Sequence, residues 1–140
     1  MTKYVLDASA LLALLNDESG AQRVQRILRE SVVGAVNVCE TVGKLINAGM
    51  PAAVARSSLE LLGLEVVPFD AELAYRAGAL IAETKHLGLS LGDRSCLALG
   101  AMLNRTVVTA DRIWSKLTIG VAIEVIRGAE ASPIRKSPAN

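Results

Sequence analysis

Aromatic side chains are scarce in this chain: one Trp, two Tyr and one Phe, 3% of 140 residues. A core made almost without them must come from Leu, Val, Ile and Ala, within the 51% of residues that are hydrophobic. Cysteine is rare too. Cys39 and Cys96 form neither a disulfide framework nor a zinc spacing, and both read as small buried thiols of a reducing cytosol. His86 is the only histidine, which excludes any mechanism that needs two. No apolar run reaches the roughly 18 residues of a membrane span. The opening Met-Thr-Lys lacks the apolar core and cleavage site of a signal peptide. A cytoplasmic protein without a membrane partner is the expectation.

An excess of one charge is also missing. Lys and Arg number 15 and Asp and Glu 14, a net +1. With the four acids discussed below set aside, ten remain against 15 bases. A positive body around a small acidic focus suits a polyanion cut with the help of a cation, and it equally suits an ordinary solvated surface.

What is present is an alternation of short apolar runs and helical patterns. The chain is long enough for one domain with a real core. Tyr4, Val5 and Leu6 read as a buried parallel strand, stopped by Asp7. Residues 8–15 read as a helix rich in Ala and Leu. Taken alone, Asp7 is the N-cap of that helix. Val24, Ile27 and Leu28 recur at helical spacing, and Arg23, Arg26 and Arg29 read as solvated. Further strands are expected at 32–36, 64–68, 106–109 and 121–126. Further helices are expected at 37–48, 52–62, 71–85, 93–103 and, as a short piece, 112–117. Strands separated by helices imply parallel pairing, hence a three-layer α/β/α domain with a central parallel sheet of about five strands. The domain spans 1–127, and 128–140 reads as a mobile or loosely attached tail.

Ligands of such sheets bind beyond the carboxyl ends of the strands. Four acids fall there. Asp7 follows strand one, Glu40 lies in the first turn of the helix after strand two, Asp93 opens the helix before strand four, and Asp111 follows strand four. Each has a purely structural explanation. Asn37 and Glu40 fit a capping-box pattern, Asp93 suits the positive end of its helix, and Asp111 caps the short helix after it. Together, four carboxylates at one end of a small sheet repel one another unless a cation sits among them. Oxygen ligands without histidine or thiolate point to Mg²⁺ or Mn²⁺ and not to zinc.

Four segments, in this order, resemble the PIN-domain nucleases and, within them, the VapC-type toxins of toxin–antitoxin pairs. They are Tyr-Val-Leu-Asp-Ala-Ser-Ala-Leu-Leu-Ala-Leu-Leu (4–15), Asn-Val-Cys-Glu (37–40), Leu-Ser-Leu-Gly-Asp-Arg-Ser-Cys-Leu-Ala-Leu (89–99) and Val-Val-Thr-Ala-Asp-Arg-Ile-Trp (107–114). The third is the most specific. The resemblance carries the family's acids onto Asp7, Glu40, Asp93 and Asp111, and its small hydroxyl residues onto Ser9 and Thr109. It implies a Mg²⁺- or Mn²⁺-dependent endoribonuclease, a homodimer held in check by a small antitoxin. The implied products carry 5′-phosphate and 3′-hydroxyl ends. Where some relatives place a further acid after the last one, this chain has Ile113, Trp114 and Ser115. Arg94 and Arg112, each following a proposed ligand, are expected either to meet RNA phosphate or to pair with a carboxylate. Trp114 is expected in the core. The alternatives are a non-catalytic scaffold of this fold that binds RNA or protein, and an RNA-processing nuclease that is not a toxin.

Overall fold

A computed structural model describes residues 2–127. The tail read at 128–140 lies outside the described residues.

Five strands form one parallel sheet: β1 (Tyr4–Leu6), β2 (Ser31–Gly34), β3 (Glu65–Val67), β4 (Thr106–Thr109) and β5 (Ile123–Val125). Their spatial order is β3-β2-β1-β4-β5, with β1 at the centre. Register follows from the period of two. Val5 pairs with Val32 and Val107, and Leu6 pairs with Val33 and Val108. Val5, Val32 and Val107 therefore face one side of the sheet and Leu6, Val33 and Val108 the other, all buried. Both faces are covered, as an all-parallel sheet requires.

The helices divide accordingly. On the Val5 side lie α5 (Ala71–Ala79) and α7 (Leu91–Leu103), packed through Leu73, Ala77, Cys96, Leu97 and Leu99 with Trp114. On the Leu6 side lie α1 (Ala8–Leu15) and α2 (Ala21–Ile27), packed through Ala10, Leu11, Ala13, Val24 and Ile27. The helices α3 (Ala35–Asn47) and α4 (Ala52–Glu60) follow β2, and Val38 and Leu59 join this second cluster. The expected three-layer fold is thus what the chain forms. Among the described residues no helix is long and apolar enough to cross a membrane.

Several local expectations are corrected. The helix foreseen at 71–85 breaks after Ala79, continues as α6 (Ile81–Thr84), and ends in a 3₁₀ turn, Lys85–Leu87. Gly78 weakens it, and the buried Thr84 hydroxyl donates back to the Leu80 carbonyl at 2.9 Å. Helix α3 starts two residues early, with Gly34 as its cap, so Asn37 is no cap. Helix α7 also starts two residues early. Ser90 is its N-cap, and Asp93 completes a capping box with it. Cys96 is buried, but Cys39 is exposed, because α3 turns that face outward. Arg23 is not merely solvated. Its guanidinium donates to both Glu124 oxygens, at 2.7 and 3.0 Å, and lies over the Tyr4 ring, tying α2 to β5. Trp114 is fully buried, as expected.

Candidate active site

The site begins with the ends of β1 and β4, neighbours in the sheet. The Asp7 N–H still donates to Val108 across that pair, at 3.1 Å, so Asp7 starts from a fixed backbone. Its side chain does cap α1: Oδ1 accepts from the Ala10 N–H at 2.8 Å. The same oxygen accepts from Ser9 Oγ at 2.7 Å, and Oδ2 accepts from Thr109 Oγ1 at 2.6 Å. Both hydroxyls are themselves committed as acceptors. Ser9 Oγ takes the Ala110 N–H at 2.8 Å and Thr109 Oγ1 takes the Asp111 N–H at 3.0 Å. Their protons are thereby directed to Asp7, from two sides. The 3.2 Å approach of the two hydroxyl oxygens is what gripping one carboxylate in this way produces.

Asp7 is 3% exposed. Burial pushes its carboxyl up to about 6, the nearby charge of Asp93 adds to that, and the bonds from Thr109, Ala10 and Ser9 pull it down. The group is thus poised near neutrality by opposing effects, a feature enriched at functional sites.

Glu40 and Asp93 come from the other side: Asp93 lies on the first turn of α7, but Glu40 lies on the second turn of α3 and not the expected first, because that helix already starts at Ala35. Glu40 is half-buried, and its carboxyl is raised, first by desolvation and then by the charge of Asp93; Asn37 and Lys44 oppose this. The Asn37 amide donates to Glu40 Oε1 at 3.3 Å. Asp93 Oδ2 accepts from the Ser90 N–H at 3.0 Å, and the Asp93 N–H donates to Ser90 Oγ at 3.1 Å. Cys96, one turn along α7, has its thiol raised by burial and then by the charges of Asp7, Asp93 and Glu40. These three acids therefore surround the start of α7.

Asp111 stands apart. It is exposed, its Oδ1 accepts from the Ile113 N–H at 3.0 Å as cap of the turn Arg112–Lys116, and it is not among the charges that shift the other acids. It stays tied to the site through Thr109, which takes its N–H.

The two arginines separate. Arg94 turns away from the acids: its Nη1 donates to the Ala77 carbonyl of α5 at 2.9 Å, and its Nε is buried without a partner. Among the described residues it pairs with no carboxylate, because α5 packs over that face of α7. Arg112 is exposed and, among the described residues, makes no ion pair.

The donor set suits a hard divalent cation: it is oxygen only and negative. The side chains do not form a ready cage, since among the described residues no three of His, Cys, Asp and Glu converge at ligand spacing. Asp93 and Asp111 each have one oxygen turned into a cap, and carboxylates of like charge keep apart. Nor does concavity mark the place. A groove of about 640 Å³ lies between α3, α4 and the β2–β3 edge, lined largely by Val33, Val38, Val42, Leu59, Leu64 and Val66, with none of the four acids in it.

Two positions escaped sequence reading. Asn37 was visible only as a cap, and Gly92 only as part of a motif. Asn37 is buried and bridges Glu40 to the Gly92 carbonyl, at 3.2 Å. The i, i+3 spacing of Asn37 and Glu40 is the signal that pointed to it.

Solved structures share the fold. The chain is similar to VapBC from Salmonella typhimurium, solved bound to DNA (TM-score 0.69, 19% identity, covering 89% of this chain and 98% of that one). It is similar to VapBC2 from Rickettsia felis, bound to a DNA fragment from its promoter (TM-score 0.67, 15% identity, 87% and 97%). It is also similar to VapC20 from Mycobacterium tuberculosis, a sarcin–ricin loop cleaving toxin (TM-score 0.66, 19% identity, 82% and 96%). No curated protein matches by sequence. The PIN domain model matches residues 4–120, nearly the whole described chain. With a five-stranded parallel sheet in the order β3-β2-β1-β4-β5 and acids at its carboxyl end, this chain belongs to the PIN domain family.

Proposed function

We propose that the protein is a metal-dependent endoribonuclease acting as the toxin of a toxin–antitoxin pair. One observation carries the reading: Asp93 stands close enough to both Asp7 and Glu40 for its charge to act on each, at the carboxyl end of a PIN-family sheet. These three would hold Mg²⁺ or Mn²⁺, directly or through water, with Asp93 and Glu40 turning toward it. When bound, such an ion lowers the pKa of a water and offsets charge that develops on the phosphoryl oxygens.

The chain's own residues do the rest. Ser9 and Thr109 keep Asp7 in one orientation and favour its ionised form. Asp111, exposed at the mouth and linked to Thr109, holds a second ion or orients the attacking water. Arg112, beside it, meets RNA phosphate. His86 lies exposed in the turn Lys85–Leu87, and no imidazole serves the acids. Attack by water leaves 5′-phosphate and 3′-hydroxyl ends. The test is sequencing of RNA 5′ ends after brief expression of the parent and of Asp7→Asn. Discrete new 5′-phosphate ends in the parent alone are the expected result. Identical end profiles would favour the non-catalytic scaffold, a reading that draws on the engagement of Asp93 and Asp111 as caps.

The neighbours named as VapBC complexes support an antitoxin partner for this chain as well. Its basic or polar segment would reach the acids. Leu12 and Leu15 of α1 remain half-exposed, which motivates a homodimer in the cytoplasm. A monodisperse monomer at tens of micromolar, roughly where interfaces of standard size hold, would count against the dimer.

A further inference from the structure

Glu40 belongs to α3 and Asp93 to α7, so something must hold the two helix starts in register. Two residues outside the acid set do so. Asn37 sits one turn before Glu40, 1% exposed. Its Nδ2 donates to Glu40 Oε1 at 3.3 Å and to the Gly92 carbonyl at 3.2 Å. The orientation of the amide is settled by chemistry, since a flipped amide would set its oxygen against two acceptors. Its Oδ1 is buried without a partner. Burying an unsatisfied acceptor is unfavourable, and an apolar side chain would pack there without that cost. The amide's contribution is therefore its donor side.

Gly92 is the second residue of α7 and is buried. It is not among the glycines of positive φ, so the backbone does not demand glycine there. Glycine also weakens a helix relative to alanine. Space is the reason for it. A Cβ built on Gly92 would overlap both Glu40 carboxylate oxygens. The most family-specific segment thus contains a glycine whose missing side chain is the seat of an acid from another helix.

We propose that Asn37 and Gly92 are positioning residues that seat the Glu40 carboxylate on the first turn of α7, beside Asp93. The inference rests on the reading of Glu40 as an acid that holds a metal ion. Asn37 draws the carboxylate inward by hydrogen bonding, and Gly92 leaves the room for it. Because the overlapping atoms are the tip of a flexible side chain, alanine at 92 displaces Glu40 without disturbing the fold.

The test titrates metal-free protein with Mn²⁺ alone and follows the melting temperature. Gly92→Ala should melt as high as the parent or slightly higher without metal, since alanine is the better helix former. It should need about tenfold more Mn²⁺ for half of the thermal shift, the size of effect typical of residues that orient ligands. Asn37→Ala should move the Mn²⁺ response in the same direction. In a Glu40→Gln background Gly92→Ala should add no further loss, because the charge it displaces is already gone. A purely structural glycine would give the same loss in both backgrounds, and that result overturns the proposal, as does a parental Mn²⁺ response in Gly92→Ala. A parent that shows no Mn²⁺ response overturns the metal reading instead. The seating is then decided by metal-free crystal structures of Gly92→Ala and Asn37→Ala. A displaced Glu40 carboxylate supports it, and an unmoved one overturns it.

Discussion

On the β1–β4 side of the acid cluster, Asp7 accepts three hydrogen bonds from donors that are themselves anchored. On the α3–α7 side, Glu40 accepts one bond at 3.3 Å, from an amide whose own oxygen is unpartnered. The first acid is fixed by the strands, the second by a side chain and an absence. Two adjacent parallel strands deliver Asp7 and Thr109 in register whatever the helices do. Two helix starts have no such ladder between them. Precision on the strand side comes with the fold, and precision on the helix side needs dedicated residues.

Asp7→Asn should abolish RNA cleavage and yet stabilise the metal-free protein at neutral pH. The folded protein holds the Asp7 proton more tightly than the unfolded chain does, up to about 6 against an ordinary 3.8. The stability this group contributes is present below pH 4 and is lost as pH rises through about 6. A shift of about two units corresponds to about 3 kcal/mol. Asparagine caps a helix about as well as aspartate and carries no charge to bury. Urea unfolding in EDTA from pH 4 to 7 should show parent and mutant converging at the acid end and separating by up to about 3 kcal/mol at pH 7. Parallel curves would mean that Asp7 is not a strained acid. Glu40, raised in the same direction but half-buried, should bend the parent's curve less.

Thr109→Val keeps the shape and deletes the hydroxyl. It strips Asp7 Oδ2 of a donor and the Asp111 N–H of an acceptor at a fully buried position. The expected loss is about 2 kcal/mol, within the range for buried groups left unsatisfied. Ser9→Ala removes an equivalent pair of bonds, but Ser9 is half-buried and water can stand in. About 1 kcal/mol is expected, and denaturation midpoints of the two variants give the comparison. Equal losses would dissolve the distinction between a buried anchor and a rim anchor.

The sheet was legible because its strands are short apolar runs of period two, and Val5 and Leu6 announce both faces at once. Asp7, Asp93 and Asp111 stand out in the sequence because each follows a strand or lies at a helix start, and Glu40 stands out through its spacing from Asn37. What escaped reading is long-range or silent. Arg23 and Glu124 are 101 residues apart, and nothing local marks them as partners. Gly34 caps α3 without a side-chain bond, so no local signal marks a helix start two residues before Asn37, the nearest residue of capping type. Arg94 follows a site acid in sequence, but the 3.6-residue period carries it round to α5. The Ser90-Leu91-Gly92-Asp93 spacing is itself that of a capping box, which sets the helix start two residues before Asp93.

That capping box supports the last and smallest stability prediction. Asp93 Oδ2 accepts from the Ser90 N–H, a bond that asparagine can also accept. Losing a negative charge at a helix start costs about 0.5 kcal/mol, and relief of repulsion with Asp7 and Glu40 acts the other way. Asp93→Asn should therefore melt within a degree or two of the parent, a shift of about 0.3 kcal/mol in a domain of this size. Ser90→Ala breaks the same box from the other side and, as loss of an N-cap hydroxyl, should cost about 1 kcal/mol. The two variants separate cap from charge. If Asp93 serves only to start α7, Ser90→Ala should harm RNA cleavage at least as much as Asp93→Asn. If its charge belongs to the site, Asp93→Asn should lose cleavage and growth arrest by orders of magnitude with its melting curve intact, while Ser90→Ala melts earlier and still cleaves. A folded Asp93→Asn protein that cleaves RNA at the parental rate would return this acid to the helix and leave Asp7 and Glu40 as a pair.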